Sequence, residues 1–253
     1  MPCDDCKKGF QWNGIPAGKE TTLNGANAYI TGDSQNTAVL ILTDFFGYTL
    51  SNIRLLADHY ATEVNATVYI PDIFGGESVH PDAMTDPEMR KTFNLGAFLS
   101  RNTKEIRWPE IQAAARTLKQ QYARVVAVGF CYGGWACFKL AAETSLIDAI
   151  SVAHPSGLEK SEIENVKVPV QVLAPEHDHE YTELLKMYTF ETLAKAAVKW
   201  EYIHFPAVGH GFASRGNPAD PTQKDAFERA KEERRSLFQR VRALEVMLYT
   251  CMT

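Results

Sequence analysis

The sequence predicts an α/β fold with a mostly parallel central sheet and helices on both faces. Short, nearly continuous apolar runs recur along the chain, as strands covered on both sides require. Segments with apolar residues at helical spacing alternate with those runs from end to end, which is the signature of a parallel, helix-flanked sheet. No internal repeat, low-complexity stretch or linker interrupts the alternation. The 253 residues therefore read as a single domain, long for an average one but within the range of one large α/β unit.

Residues 38–43 (AVLILT) are the first strand run. Residues 50–62 follow with apolar side chains at 50, 53, 55, 56 and 60, a helical spacing. Residues 66–70 (ATVYI) read as a strand that stops at Pro71-Asp72. The stretch 75–101 is polar and broken by Pro81 and Pro87, which marks a loop-rich insertion or lid. Residues 104–122 are helical, and 123–129 form the next strand. A helix over 134–144, a strand over 149–153 and a strand over 168–173 (VPVQVL) come next. The pattern closes with a helix over 181–197, a strand over 199–204 (KWEYIH) and a long charged helix over 221–248. Residues 1–24 are expected to be an N-terminal extension.

Composition narrows the function classes. Hydrophobic residues at 45% and charged residues at 23% are ordinary for a globular protein. A net charge of −5 with no basic stripe argues against a nucleic-acid partner. No apolar run reaches the ~18–20 residues that span a bilayer, and the start, MPCDDCKKGFQWNG, has no signal-peptide core. No membrane association is expected, and the cytoplasm is the expected compartment. Five cysteines, an odd number in a long chain, do not suggest a disulfide framework. Cys3 and Cys6 form a C-x-x-C pair, but zinc needs further ligands and no second C-x-x-C exists. An exposed terminal pair is the plainer reading, and a thiol redox protein would show a thioredoxin-like order that this chain lacks. No metal and no organic cofactor is expected. The sequence carries no signal of oligomeric state.

In parallel sheets of this kind the working residues lie just past the carboxyl ends of the strands. There, at the end of the strand over 123–129, stands Gly129-Phe130-Cys131-Tyr132-Gly133-Gly134. It fits the pattern Gly-x-nucleophile-x-Gly, with cysteine where serine is commoner. A turn this abrupt from strand into helix strains its middle residue and crowds the positions two away on either side. Glycine at 129 and 133 removes the crowding. The cysteine side chain is then expected to project from the sheet edge, at the positive end of a helix that favours thiolate. The plainer reading is a tight turn with an inert thiol; placement between strand and helix favours the nucleophile. Cys137, among Ala136, Phe138, Leu140 and Ala141, reads as core.

A nucleophile needs a base, and the base an orienting group. Past the strand over 168–173 comes Ala174-Pro175-Glu176-His177-Asp178-His179-Glu180, and past the strand over 199–204 comes Val208-Gly209-His210-Gly211-Phe212. Asp178 lies 47 positions after Cys131, and His210 a further 32, so each interval leaves room for one strand and one helix. The chain order nucleophile, acid, histidine is the α/β-hydrolase order. Glycines flanking His210 let its loop approach the sheet edge closely. Glu176 and Glu180 are rivals to Asp178, which is favoured because a shorter side chain orients an imidazole more rigidly. His177 and His179 read as solvated loop residues. His154, after the strand over 149–153, is a pocket-lining candidate or a strand cap.

With these residues assembled, the chain from about residue 25 onward resembles the dienelactone hydrolase family of α/β-hydrolases. The motifs are Thr43-Asp44-Phe45-Phe46-Gly47, GFCYGG, Asp178, and His210-Gly211-Phe212 followed by Arg215. The resemblance implies a Cys131–His210–Asp178 triad that hydrolyses a small ester or enol lactone through an acyl-thioester. It also implies an oxyanion hole from the backbone N–H groups of Tyr132 and Phe45. An acidic residue after the first central strand holds the resting thiol in better-known members; here that position is Asp44, one methylene shorter than the usual glutamate. The family's prototype substrates carry a carboxylate, for which Arg215 and Arg101 are the candidate grips. A second reading, from a different class, is a non-catalytic protein of this fold that binds a small ligand or a partner. Such scaffolds usually lack a member of the triad, whereas here all three candidates are present.

Overall fold

The computed structural model describes residues 7–250, with side chains described through residue 241, so the Cys3–Cys6 pair lies outside the described residues. Its strands are β1 (Lys19–Leu23), β2 (Ala26–Thr31), β3 (Thr37–Leu42), β4 (Thr67–Pro71), β5 (Arg124–Phe130), β6 (Ala149–Ala153), β7 (Val170–His177) and β8 (Trp200–Gly209). Its helices are α1 (Ser51–Val64), α2 (Pro87–Thr92), α3 (Leu95–Arg101), α4 (Lys104–Gln121), α5 (Tyr132–Leu140), α6 (Lys160–Glu164), α7 (Glu183–Leu193), α8 (Phe212–Arg215) and α9 (Pro221–Thr250). The strands form one eight-stranded sheet in the order β1-β2-β4-β3-β5-β6-β7-β8. From β4 across to β8 neighbouring strands are parallel, and β1 and β2 add an antiparallel edge.

The continuous apolar runs have a simple cause. Ala38, Leu40 and Leu42 of β3 enter one core, and Val39 and Ile41 enter the other. On β5, Val125 and Ala127 face the first core while Val126, Val128 and Phe130 face the second. The first core is covered by α4 and α5 through Ile111, Leu118, Trp135 and Phe138. The second is covered by α1 and α9 through Ile53, Tyr60, Leu237 and Phe238. Each large aliphatic side chain so buried contributes roughly 1.5–3 kcal/mol relative to exposure.

Three expectations need correction. The stretch 75–101 is not loop-rich: it holds a 3₁₀ turn (Pro81–Met84), α2 and α3. Its prolines start these elements instead of breaking them, since Pro lacks only a donor that the first turn leaves unused. The Asp86 carboxylate caps α2 and the Asn94 side chain caps α3. Residues 1–24 are not wholly an extension, because β1 belongs to the sheet. Ahead of β1, the Trp12 indole N–H donates to the Gly216 carbonyl at 2.8 Å, and the Phe10 N–H donates to the Arg215 carbonyl at 2.9 Å. The strands expected over 168–173 and 199–204 both run farther, to His177 and Gly209, past an irregularity in their pairing between Pro175 and His177. That extra length carries the loops that follow to the sheet's carboxyl edge.

Between β5 and α5 the chain reverses in one residue. Cys131 has φ 52° and ψ −115°, a left-handed backbone that costs a side-chain-bearing residue of order 1–3 kcal/mol. The turn is pinned on two sides: Gly133 N–H donates to the Thr43 carbonyl at 3.1 Å, and Cys131 N–H to the Ala153 carbonyl at 3.3 Å. A Cβ at Gly133 would lie 2.0 Å from the Leu42 carbonyl oxygen, and one at Gly129 would lie 2.5 Å from the Gly133 carbonyl oxygen. Gly133→Ala is therefore expected to lower the unfolding free energy by about 2 kcal/mol, read as a lower urea midpoint. An unchanged midpoint would contradict this packing.

Candidate active site

The Cys131 sulfur is not displayed at the sheet's rim, as the sequence suggested, but fully enclosed. Its Sγ lies 2.9 Å from the Ser156 hydroxyl oxygen, just past the end of β6. The Ser156 N–H donates to the Cys131 carbonyl at 2.9 Å, so backbone and side chain hold the two residues together. Ser156 and Tyr132 also line a cavity of about 240 Å³, with Phe45, Leu99, Trp135 and Glu180. Aromatic rings roof it: Phe45 packs on Phe98 of α3 at 5.4 Å between centroids and on Tyr132 at 5.8 Å. The Tyr132 hydroxyl donates to the Asn102 carbonyl at 2.8 Å, tying the roof to the helical insertion. No backbone carbonyl among the described residues takes the N–H of Phe45 or of Tyr132.

The loop after β7 brings Asp178 to His210, which follows β8. Both Asp178 carboxylate oxygens stand 3.0 Å from His210 Nδ1. Asp178 Oδ1 also accepts the N–H groups of Glu180 at 2.9 Å and Tyr181 at 3.0 Å. Burial pushes the Asp178 carboxyl up, yet the His210 hydrogen bond and charge, with those two N–H donors, hold it below the usual range. Burial likewise opposes a charge on His210. A negative charge at Cys131 and the bond to Asp178 push the other way and outweigh it, and the imidazole pKa is pushed up to about 10. Imidazole and carboxylate therefore form one buried, hydrogen-bonded pair. The rival acids are elsewhere: Glu176 accepts the Ala207 N–H at 2.6 Å, and Glu180 lines the cavity. Cys137 is core, its thiol pushed far up by burial.

His154 does not line the cavity. Its buried ring packs edge-on against the His210 ring at 4.8 Å and against Phe212 at 5.8 Å. Burial and the neighbouring His210 charge drive its pKa well below the ordinary value, so it stays neutral and backs the other imidazole.

Asp44 and Arg215 are found in a different arrangement from the one the resemblance implied. The Arg215 guanidinium donates to the Asp44 carboxylate at 2.6 Å, with both side chains wholly buried. Asp44 also accepts the Ser214 hydroxyl at 3.2 Å and the Phe46 N–H at 3.1 Å. Burial pushes its carboxyl up, Arg215 draws it back down, and the Cys131 charge adds to the rise, leaving it above the ordinary range. Asp44 is thus engaged by the His210 loop, and Ser156 occupies the hydrogen-bonding position beside the sulfur. Arg215 lines a separate cavity of about 310 Å³ on the His177 and His179 side of His210. Arg101 is exposed and paired with Glu77, its Nε 2.8 and 3.1 Å from the two carboxylate oxygens. Neither arginine lines the cavity beside Ser156. Sequence reading missed Ser156, although its place two residues past His154, beyond a strand end, was a usable signal. Among the described residues no cluster of His, Cys, Asp and Glu could hold a metal ion, and no helix is long and apolar enough to cross a membrane.

Comparison with known proteins bears on this geometry. The family model described as the dienelactone hydrolase family matches residues 26–242. The hydrolase tropI of Talaromyces stipitatus is 26% identical over 220 residues, covering 84% of this chain and 85% of that protein. The human carboxymethylenebutenolidase homolog is 29% identical over 240 residues, covering 90% and 93%. Among solved structures, a dienelactone hydrolase-like promiscuous phosphotriesterase from metagenomic libraries, P91, superposes with a TM-score of 0.62 at 16% identity, covering 88% of this chain and 97% of that one.

The raised His210 pKa fixes the sign of a pH effect. A group whose pKa rises on folding stabilises the fold fully below its ordinary 6.5, and that contribution is lost as pH climbs through about 10. Cys131→Ala removes the largest of the influences that raise it. The His210 ring, followed by NMR, is expected to titrate well below 10 in that variant. Titration at an unchanged pH would mean that the sulfur carries no charge beside it.

Proposed function

This chain belongs to the dienelactone hydrolase family, and from that premise we propose that it hydrolyses small carboxylic esters or enol lactones through a thioester on Cys131. The observation that carries the reading is the buried contact of Asp178 with His210, whose proton affinity responds to the Cys131 sulfur. We take the sulfur as the thiolate of an ion pair with the protonated imidazole, so attack needs no prior proton removal.

The Cys131 sulfur pair attacks the substrate carbonyl carbon, forming the C–S bond as the C=O π pair moves to oxygen. The N–H groups of Phe45 and Tyr132 receive that oxyanion, each donor contributing about 3 kcal/mol to lowering the barrier. As the carbonyl re-forms, the C–O bond to the leaving alkoxide or enolate breaks, and His210 supplies its proton through Nε2. A water then attacks the thioester while His210 takes one of its protons, and the thiolate departs with the sulfur pair. Carboxylic acid and alcohol or enol are the products, and the enzyme returns with His210 protonated. Asp178 fixes the imidazole so that Nδ1 faces the carboxylate, and it balances the charge on the ring. The enclosed sulfur implies that substrate enters through the aromatic-roofed cavity beside Ser156.

Cys131→Ala is expected to lower kcat/KM for a p-nitrophenyl ester by about 10³-fold or more, and Asp178→Asn by roughly 10²–10⁴-fold, with the fold intact by circular dichroism. Wild-type turnover in Cys131→Ala would remove the sulfur from the chemistry.

A further inference from the structure

We infer that the cavity beside Cys131 selects uncharged or cationic ester substrates with apolar substituents, and that Glu180 turns carboxylate-bearing ones away. This deepens the hydrolase reading and rests on that cavity being the substrate site.

Glu180 is half-buried in the cavity wall, and its N–H bond to Asp178 at 2.9 Å fixes the turn that presents it. Burial and the Cys131 charge push its carboxyl above the ordinary range, so its charge is complete only toward higher pH. Lys104 is the cation among the lining residues, and it is already claimed twice. Its ammonium lies 3.1 Å from Glu159 and 2.9 Å from Glu162, so it leaves no net positive charge for a substrate anion. The arginines that could have gripped a carboxylate are bound to Asp44 and Glu77. What remains of the wall is chiefly apolar: Phe45, Leu99, Tyr132 and Trp135. A substrate carboxylate entering here would lose its hydration against hydrocarbon and meet a like charge. An alkyl or aryl group meets neither cost, and an ammonium would find an opposite charge.

Two matched pairs of probes test this. Iodoacetate and iodoacetamide differ in charge and little in shape, and both are thiol alkylators whose rates at Cys131 can be read by peptide mass spectrometry. 4-Carboxyphenyl butanoate and 4-carbamoylphenyl butanoate do the same for turnover. Glu180→Gln is expected to raise the anionic-to-neutral rate ratio roughly tenfold in each pair, the size of a like-charge contact at the edge of solvent. An alkylation ratio left unmoved by Glu180→Gln overturns the inference. So does an unmoved ester ratio while both esters are still hydrolysed. Esters left intact by the wild type, beside a shifted alkylation ratio, would sink the hydrolase reading and uphold the charge selection.

Discussion

A cysteine with a left-handed backbone is costly unless its surroundings leave no alternative, and here they leave none. The carbonyls of Thr43 and Ala153, at the ends of the two strands that flank β5, accept N–H groups from the turn. The Leu42 carbonyl lies so close to Gly133 that no side chain fits between them. Each such hydrogen bond contributes of order 1 kcal/mol, enough together to offset the strain. The same contacts bring the ends of β3, β5 and β6 to one point. Phe45, Cys131 and Ser156 are therefore neighbours because the turn is held, and nothing downstream of the turn could place them there alone.

Charge is the second constraint, since Asp44, Arg215, Asp178 and His210 all have buried side chains. A buried charge left without its partner typically costs 3–5 kcal/mol. The structure meets that cost by pairing, and the pairs cross long distances in the chain. Asp44 and Arg215 are 171 residues apart, and Asp178 and His210 are 32 apart. The first pair locks the segment after His210 to the segment after β3. The second orients the imidazole from the other side. Between them the histidine loop has little freedom, and His154, kept neutral, fills the space behind the ring without adding a competing charge.

Much of this was legible in the sequence, and what was hidden had a physical reason. The runs over 38–43 and 123–129 are apolar on both faces because two cores flank them, and that pattern depends on no distant residue. The glycines around Cys131 announce a turn because their lack of a side chain is a local requirement. The first two strands, KETTL at the sheet's edge and ANAYIT beside it, are short and partly exposed, so they carry no apolar run to read. The helices within 75–101 were masked by prolines that serve as first-turn residues. Arg215 looked available for a substrate because nothing local reveals that Asp44 waits across the fold. Composition reports what a residue is, and only the tertiary structure reports which partner has already claimed it.

The central claim is that the enclosed sulfur of Cys131 is the atom that takes up the acyl group. Rapid acid quench of the wild-type protein during turnover of an activated ester, followed by peptide mass spectrometry, tests it directly. The account predicts the acyl mass on the peptide that contains Cys131 and on no other. An acyl group found on Ser156 instead, or steady turnover with none on the protein, would contradict it.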